Sequence, residues 1–246
     1  MKKVLSVVAV LCFMSVSVFA NPVDKFNSVM NGVSDDATAE KYLKHFADDM
    51  GSVMTGSNFG IHSKIGFANL NLSLKLNVVN VDNEIMKAEG TRQLYVPIFV
   101  AAVGLISGFD LIGKYGYFYG SNLYGIGVRY KIYDSTAYYL PTVTVQGIYS
   151  VLNIDSSGNK VDNNNLALGA VASFPLPFVS PYVGIGFDRT KSEAKSSNKE
   201  GLSVDVDKVR YSLGVSINIL MLRGSAGITF RENGVPSYHF SLSAGI

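Results

Sequence analysis

The sequence has 246 residues, of which 48% are hydrophobic and only 16% charged, and its formal net charge is +2 at pH 7. So small an imbalance gives no electrostatic reason to expect nucleic-acid binding, which depends on a strongly basic surface. Twenty-four glycines, 14 tyrosines and no tryptophan accompany the low charge.

The first 20 residues have the pattern of a cleaved signal peptide. Lys2 and Lys3 form a basic start, residues 4–18 form an apolar stretch, and small residues at Val18 and Ala20 suit signal peptidase, so cleavage is expected before Asn21. The mature chain is then exported, and its 19 basic residues equal its 19 acidic ones. Its length of roughly 225 residues suits one large all-β domain.

Cys12 offers a competing interpretation, in which the signal is that of a lipoprotein. This is not favoured, because Leu11 stands where a small residue is needed and Cys12 lies inside the apolar stretch. Cys12 is also the only cysteine in the sequence. The mature protein is therefore expected to contain neither a disulfide nor a thiolate metal site.

Residues 21–66 are predicted to form a helical segment and a linker. In "SDDATAEKYLKHFADDMG" apolar residues recur at helical spacing, which predicts a helix over 36–50 with Asp35 or Asp36 capping its start and Gly51 its end. Val23, Phe26, Val29 and Met30 form a weaker copy of this pattern upstream.

Two interpretations of this helix stay open: it packs on whatever surface is available, or it plugs a barrel. The candidate plug surface consists of Tyr42, Leu43, Phe46 and Met50. The opposite face carries Asp36, Glu40, Lys41, Lys44 and Asp48, which could pair with Lys75, Arg129, Lys131 or Arg210 inside the barrel. Since a helix is about 10 Å across, a ten-stranded barrel is expected to admit it only partly, at or just inside the periplasmic mouth.

After Gly66 the apolar period changes from 3.6 to 2. "NLNLSLKLNV" places leucines on one face and polar residues on the other, as a strand with one apolar side does. The alternation recurs in nine further segments, near 95–105, 109–118, 123–133, 142–152, 165–174, 182–190, 207–219, 223–231 and 237–246. The segment at 95–105 is apolar on both faces.

A soluble barrel and a transmembrane barrel both show such alternation, but other features favour the membrane. The polar faces are rich in Gly and Ser, aromatic residues cluster near strand ends, and long polar connections alternate with short ones. No apolar run after the signal approaches the roughly 20 residues that a membrane helix needs. Residues 67–246 are therefore predicted to form an antiparallel, all-β transmembrane barrel of about ten strands in the outer membrane.

The connections predict an orientation with both termini in the periplasm. Outer loops are expected at 82–94, 119–122, 153–164, 191–206 and 231–236, with inner turns near 107 and in "DSTAYYLP", "PLPFVSP" and "ILML". The last strand is expected to close the barrel against the first, because an unpaired edge is not tolerated in lipid.

At "KYLKHFADDMGSVMTGSNFGIHSKIGFANLNLSLKL" the chain resembles an uncharacterised family of bacterial outer-membrane β-barrels with a short N-terminal helix. The His62-Ser63-Lys64 step lies in this stretch, and "LPTVTVQGIYS" and "FVSPYVGIGFD" look similar too. The resemblance implies a fold and a compartment, and it transfers no functional residues.

No catalytic residue, metal ligand or cofactor is predicted. The three histidines form no ligand cluster, and His239 with Ser241 is read as lumen lining because no third group orients the pair. The G-x-G steps lack a third glycine, and Asp155, Asp162, Asp205 and Asp207 match no calcium loop.

Polar residues on the inward strand faces are the candidate functional residues. They include charges of both signs, which either pair into a filling network or line a constriction: Lys75, Asp110, Lys114, Arg129, Lys131, Gln146, Asp188 and Arg210. Two functions stay open, a narrow channel for small polar or anionic solutes and a structural or surface-interaction barrel acting through its outer loops. The expected partners are outer-membrane lipid and the barrel-insertion machinery, with a surface partner that the sequence does not name.

Overall fold

The computed structural model describes residues 26, 29–30, 32–56, 58–59, 70–88, 90–106, 108–134, 140–156, 159–195, 201–219 and 222–245. The predicted signal peptide at 1–20 and the His62-Ser63-Lys64 step lie outside these residues. The described residues form a closed β-barrel and a helix that enters it.

Ten antiparallel strands form the barrel, and each pairs with its neighbours in the sequence. The strands are β1 Leu70–Asn80, β2 Gln93–Ile106, β3 Phe109–Phe118, β4 Ser121–Tyr133, β5 Thr142–Ser156, β6 Asn159–Ser173, β7 Val179–Ala194, β8 Ser203–Ile219, β9 Leu222–Arg231 and β10 Ser237–Gly245. β10 also pairs with β1, with Asn71 opposite Gly245 and Val79 opposite Ser237. The predicted ten-stranded barrel, closed by its last strand, is confirmed.

The two ends of the barrel differ in their connections. At the terminal end, where β1 begins and β10 finishes, the connections span 107–108, 134–141, 174–178 and 220–221. At the opposite end, which we call the loop end, they span 81–92, 119–120, 157–158, 195–202 and 232–236. A short helix, α2 Glu84–Ala88, lies in the first of the loop-end connections.

The outward surface of the barrel is an apolar belt. On β5, β7 and β8 the outward side chains are uncharged over 143–151, 179–187 and 209–217, nine residues in each strand. A tilted strand crosses a bilayer in about 9–11 residues. Exposed tyrosines border the belt, as interfacial girdles do: Tyr115, Tyr117, Tyr124 and Tyr149 on one side, and Tyr130 and Tyr133 on the other. This surface fits lipid.

Strands β5–β8 continue beyond the belt at the loop end. Residues 153–156, 159–164, 189–194 and 203–208 form what we call the projecting wall. Its outward face carries exposed ion pairs such as Arg189–Asp207, whereas its inward side chains near the rim are apolar. The predicted loops are therefore wrong for ten of the 12 residues in 153–164 and for eight of the 16 in 191–206, because an apolar core inside the wall keeps the alternating strands in place.

The helix α1 Asp36–Thr55 begins where the sequence predicts. The Asp35 carboxylate accepts a hydrogen bond from the Thr38 N–H at 2.9 Å and caps the helix. The predicted end at Gly51 is wrong, because the helix continues to Thr55. A Cβ at Gly51 would lie 2.5 Å from Thr190 Oγ1, so this glycine allows close packing against the barrel wall.

Among the residues that the structure describes, no helix is both long and apolar enough to cross a membrane.

Candidate functional site

The C-terminal half of α1 lies inside the barrel. Every residue from Asp49 to Thr55 is buried, whereas Asp36, Glu40 and Lys44 near the start of the helix are exposed. The helix packs mainly on β7 and β8. We therefore take the barrel interior, with α1 in it, as the candidate functional site.

Two carboxylates of α1 meet the loop end of the barrel. Asp49 accepts hydrogen bonds from the N–H groups of Asp82 and Asn83, just after β1, at 2.9 and 3.0 Å. Asp48 pairs with Arg231 Nη1 at 2.5 Å and with Lys208 Nζ at 3.1 Å. The helix is expected at the mouth where β1 begins and β10 finishes. This is wrong, because the charges that bind it lie at the loop end, so the start of α1 and the end of β10 lie at opposite ends of the barrel.

Asp49 lies beyond the end of β1, outside the membrane-spanning strands. Burial raises the pKa of its carboxyl group to about 7, although the two backbone N–H donors act in the opposite direction. The negative charges of Asp48 and Asp82 add to the rise. The raised pKa predicts that the contact between α1 and the loop after β1 depends on pH.

Deeper in the barrel, Asp188 joins α1 to two arginines. Its carboxylate accepts a hydrogen bond from Thr55 Oγ1 at 3.0 Å and lies 3.1 Å from Arg210 Nε and 3.5 Å from Arg231 Nε. These Nε atoms are within ion-pair distance but are not aligned as hydrogen-bond donors. Arg210 Nη1 also donates to the Thr55 carbonyl at 2.9 Å. All three charged side chains are buried, so each depends on the others for its charge balance.

The end of α1 meets a second group of polar side chains. Lys114 Nζ donates to the Met54 carbonyl at 2.6 Å, and Asn77 Nδ2 donates to the Ser52 and Val53 carbonyls at 3.1 and 3.2 Å. The last carbonyls of a helix have no partner within the helix and form the negative end of its dipole. The lysine and the asparagine satisfy these groups from the barrel wall.

The polar interior continues on the neighbouring strands. Arg129 and Asp110 form a buried ion pair between β4 and β3. The Tyr182 hydroxyl lies 2.5 Å from His239 Nε2, and both side chains are buried. Among the described residues, five buried cationic side chains stand against three buried carboxylates, which gives the interior a basic excess: Lys75, Lys114, Arg129, Arg210 and Arg231 against Asp49, Asp110 and Asp188.

The structure brings several of the predicted lumen residues into two pairs, Asp110 with Arg129 and Asp188 with Arg210. Seven of the eight are buried, namely Lys75, Asp110, Lys114, Arg129, Gln146, Asp188 and Arg210. Lys131 instead pairs with Asp134 at the terminal end, at 2.6 Å. The expected pairing of Asp48 with Lys75, Arg129, Lys131 or Arg210 is wrong, because Arg231 and Lys208 are nearer the loop end where α1 docks.

The loop end of the interior is filled by an apolar core. From α1 the core includes Leu43, Phe46 and Met50, whereas Tyr42 is only partly buried at its edge. The Phe26 ring stacks on the Phe46 ring with centroids 4.1 Å apart. The barrel contributes inward side chains of the wall, of α2 and of β2, among them Ile154, Val161, Val204, Val206, Met86, Leu94 and Val96. β2 is therefore apolar on both faces because one meets lipid and the other meets this core.

Three residues of the site were not found from the sequence. Arg231 shares the inward face of β9 with Thr229, so the alternation along this strand already indicated that its side chain points into the barrel. It was missed because the last residue of a predicted strand is easily assigned to the loop. Asp49 and Phe59 gave no local signal. Phe59 is buried against the backbone of β6 and β7, and Arg210 stacks over its ring at 4.3 Å.

Within the described part of the chain, no cluster of three or more histidine, aspartate or glutamate side chains is placed to hold a metal ion.

Neither a protein-family model nor a curated protein matches the sequence. Several solved structures are similar. The attachment invasion locus protein Ail of Yersinia pestis is 14% identical, with a TM-score of 0.38, and the match covers 73% of this chain and 98% of that one. The translocator domain of the autotransporter NalP from Neisseria meningitidis is 11% identical, with a TM-score of 0.43, covering 85% of this chain and 97% of that one. The KdgM porin in complex with disordered oligogalacturonate is 8% identical, with a TM-score of 0.34, covering 72% and 98%.

The strand topology itself gives the fold. An even number of antiparallel strands in a closed barrel, an apolar outward belt and bordering tyrosines are the features of bacterial outer-membrane β-barrels. The chain has that fold, and the resemblance to outer-membrane barrels is confirmed.

Proposed function

We propose that the protein is an outer-membrane barrel that is plugged at rest and acts at the cell surface through its projecting wall. The observation that carries this proposal is the apolar core at the loop end, where α1 packs with β2, α2 and the inward side of the wall. A conducting pore needs a continuous path for water, and a close-packed core of large apolar side chains blocks one.

The orientation rests on the connections and on the charges of the wall. In bacterial barrels the short turns face the periplasm and the longer loops face outward. The loop end, with the 12-residue connection at 81–92, then faces the outside. The wall stands in water beyond the lipid, where exposed pairs such as Arg189–Asp207 and Lys160–Asp155 are hydrated. The start of α1, with Asp36 and Glu40 exposed, lies on the same side.

A second candidate function is a gated channel for small anionic solutes. It is favoured by the basic excess of the interior, where five buried cationic side chains stand against three carboxylates among the described residues. If α1 were displaced from the barrel, Lys114 and Arg210 would lose carbonyl partners on the helix. The lumen would then present positive charge to a passing solute, and anions would be preferred.

Conductance of the refolded protein in planar bilayers distinguishes these functions. The wild type is expected to be closed. Asp48→Arg puts a positive charge beside Arg231 and Lys208 and is expected to repel α1 from the loop end. Glu40→Arg makes the same charge change on the exposed face of the same helix and is the matched control. Heat-modifiable migration on gels checks that each barrel is folded.

Each outcome of this experiment has one meaning. A closed wild type with an anion-selective Asp48→Arg variant and a closed control supports the gated channel. Closed bilayers for all three proteins support the surface barrel alone. Steady conductance of the wild type would contradict the plugged resting state on which the proposal rests.

A further inference from the structure

A hollow of about 410 Å³ lies in the apolar belt across β2–β5. The side chains around it come from two neighbouring rows that run across the strands. One row is Ala101, Gly113, Ile126 and Tyr149, and the other is Phe99, Tyr115, Tyr124 and Val151. The hollow exists because the first row begins with two small residues between larger neighbours.

Gly113 forms the floor of the hollow. Nothing lies within 4 Å of the position that a Cβ would take there, so the space is open toward lipid. Aromatic rings stand beside it, with the Tyr115 and Tyr124 rings 5.5 Å apart. Lys114 also borders the hollow, but its ammonium group points inward and donates to the Met54 carbonyl. The lining that faces outward therefore carries no charge.

The polar margin of the membrane lies on one side of this hollow. The Tyr115 hydroxyl donates to Asn122 Oδ1 at 2.8 Å, and the Tyr149 hydroxyl donates to Asn164 Oδ1 at 3.0 Å. Tyrosines with polar partners mark the interface between lipid chains and water. On the other side the next row is bulky, with Leu111 paired to Val128, and closes the hollow.

We propose that this hollow is a binding site for one acyl chain of a membrane lipid from the leaflet at the loop end. The hollow is continuous with the lipid-facing belt and lies just inside the tyrosine border, where the first methylenes of a lipid chain lie. Its aromatic walls offer large apolar contact area. A chain in the hollow is held in one place, while chains on the rest of the belt exchange freely.

The test uses the full mature barrel in vesicles of phosphatidylethanolamine and phosphatidylglycerol that contain a lipid with a photoreactive acyl chain. Cross-linked peptides are identified by mass spectrometry. Gly113→Leu is chosen to fill the hollow, because nothing lies within 4 Å of the Cβ position at Gly113. Gly224→Leu is the matched control, since Gly224 on β9 also has nothing within 4 Å of its Cβ position and lies outside the hollow.

In the wild type, cross-links are expected to concentrate on peptides that contain Phe99, Tyr115 or Ile126. In Gly113→Leu they should fall to the level of the rest of the belt, and in Gly224→Leu they should stay concentrated. Uniform cross-linking of the wild type, or equal loss in both variants, would overturn the proposal. So would a wild-type dimer in detergent that Gly113→Leu alone dissociates, because the occupant would then be a second copy of this chain.

Discussion

The Asp188 carboxylate balances two buried guanidinium groups, and this predicts a large effect of its removal. Asp188→Asn would leave the buried Arg210 without its anion, and Arg231 with Asp48 alone. Breaking a buried ion pair by removing one partner costs about 3–5 kcal/mol. We expect the free energy of unfolding in detergent to fall by about this amount, measured by urea titration followed by circular dichroism.

Asp207→Asn provides the comparison for this prediction. Asp207 also pairs with an arginine on the neighbouring strand, but the two side chains are 43% and 60% exposed. Exposed pairs contribute only about 0–1 kcal/mol. Similar losses for Asp188→Asn and Asp207→Asn would show that the interior of the barrel is solvated rather than closed.

Asp49 predicts a pH dependence of the contact between α1 and the loop after β1. Burial raises the pKa of Asp49 from 3.8 to about 7, so the folded protein holds this proton more tightly than the unfolded chain does. The stability from this group is complete below about pH 4 and is lost as the pH rises through about 7.

We expect the wild type to lose more stability than Asp49→Asn between about pH 5 and about pH 8. The temperature at which the folded gel band disappears, measured at each pH, gives the comparison. Parallel pH profiles of the two proteins would show that Asp49 does not titrate in this range.

The long strands combine a lipid-crossing part with a water-exposed part, and β8 allows both to be tested on one face. Leu213 lies at the middle of the lipid-facing stretch 209–217 and is 51% exposed, whereas Ser203 is exposed on the projecting wall. An arginine facing the bilayer mid-plane costs roughly 2–4 kcal/mol. We expect Leu213→Arg to lower the stability in lipid by that amount and Ser203→Arg to have almost no effect.

Refolding into vesicles and urea titration measure both β8 variants. An equally large loss for Ser203→Arg would place the wall within the membrane. It would also remove the physical basis for the surface function.

The strands were predictable because their signal is local. Period-two alternation gives the inward and outward faces within a few residues, so the phase that buries Lys75 and exposes Tyr124 could be assigned without the fold. The same signal extended into "SVDVD", where Val204 and Val206 alternate with aspartates, but the abundance of charge favoured a loop. Only a core inside the wall makes those valines the inward face of a strand.

The position of α1 was not predictable, because it depends on contacts between distant parts of the chain. Asp48 and Arg231 are 183 residues apart, and Thr55 and Asp188 are 133 apart. The apolar stripe of the helix indicated burial against something, without indicating which end of the barrel. Gly51 looked like a helix end because its other role, close packing on Thr190, becomes visible only when β7 is in place.

The molecule as a whole joins two kinds of interior in one barrel. At the loop end the core is apolar, as in a water-soluble protein, and apolar side chains of α1 from Ala39 to Met54 pack into it. Deeper in the barrel, polar and charged side chains hold the second half of the helix. α1 therefore enters from the loop end, whereas β1 begins at the terminal end.

The entry of α1 from the loop end predicts which positions of the chain face the outside of the cell. The mature chain is expected to contain no cysteine, so single cysteines can be labelled with a membrane-impermeant maleimide. Lys41 on α1, Ser203 on the wall and Asn218 near the terminal end of β8 are all exposed. We expect Lys41→Cys and Ser203→Cys to react in intact cells, and Asn218→Cys to react only after the outer membrane is permeabilised.

The three sites together distinguish an error in the orientation of the barrel from an error in the position of α1. Labelling of Asn218→Cys alone would reverse the orientation of the whole barrel. Labelling of Ser203→Cys without Lys41→Cys would keep the orientation and show that α1 does not enter from the outside.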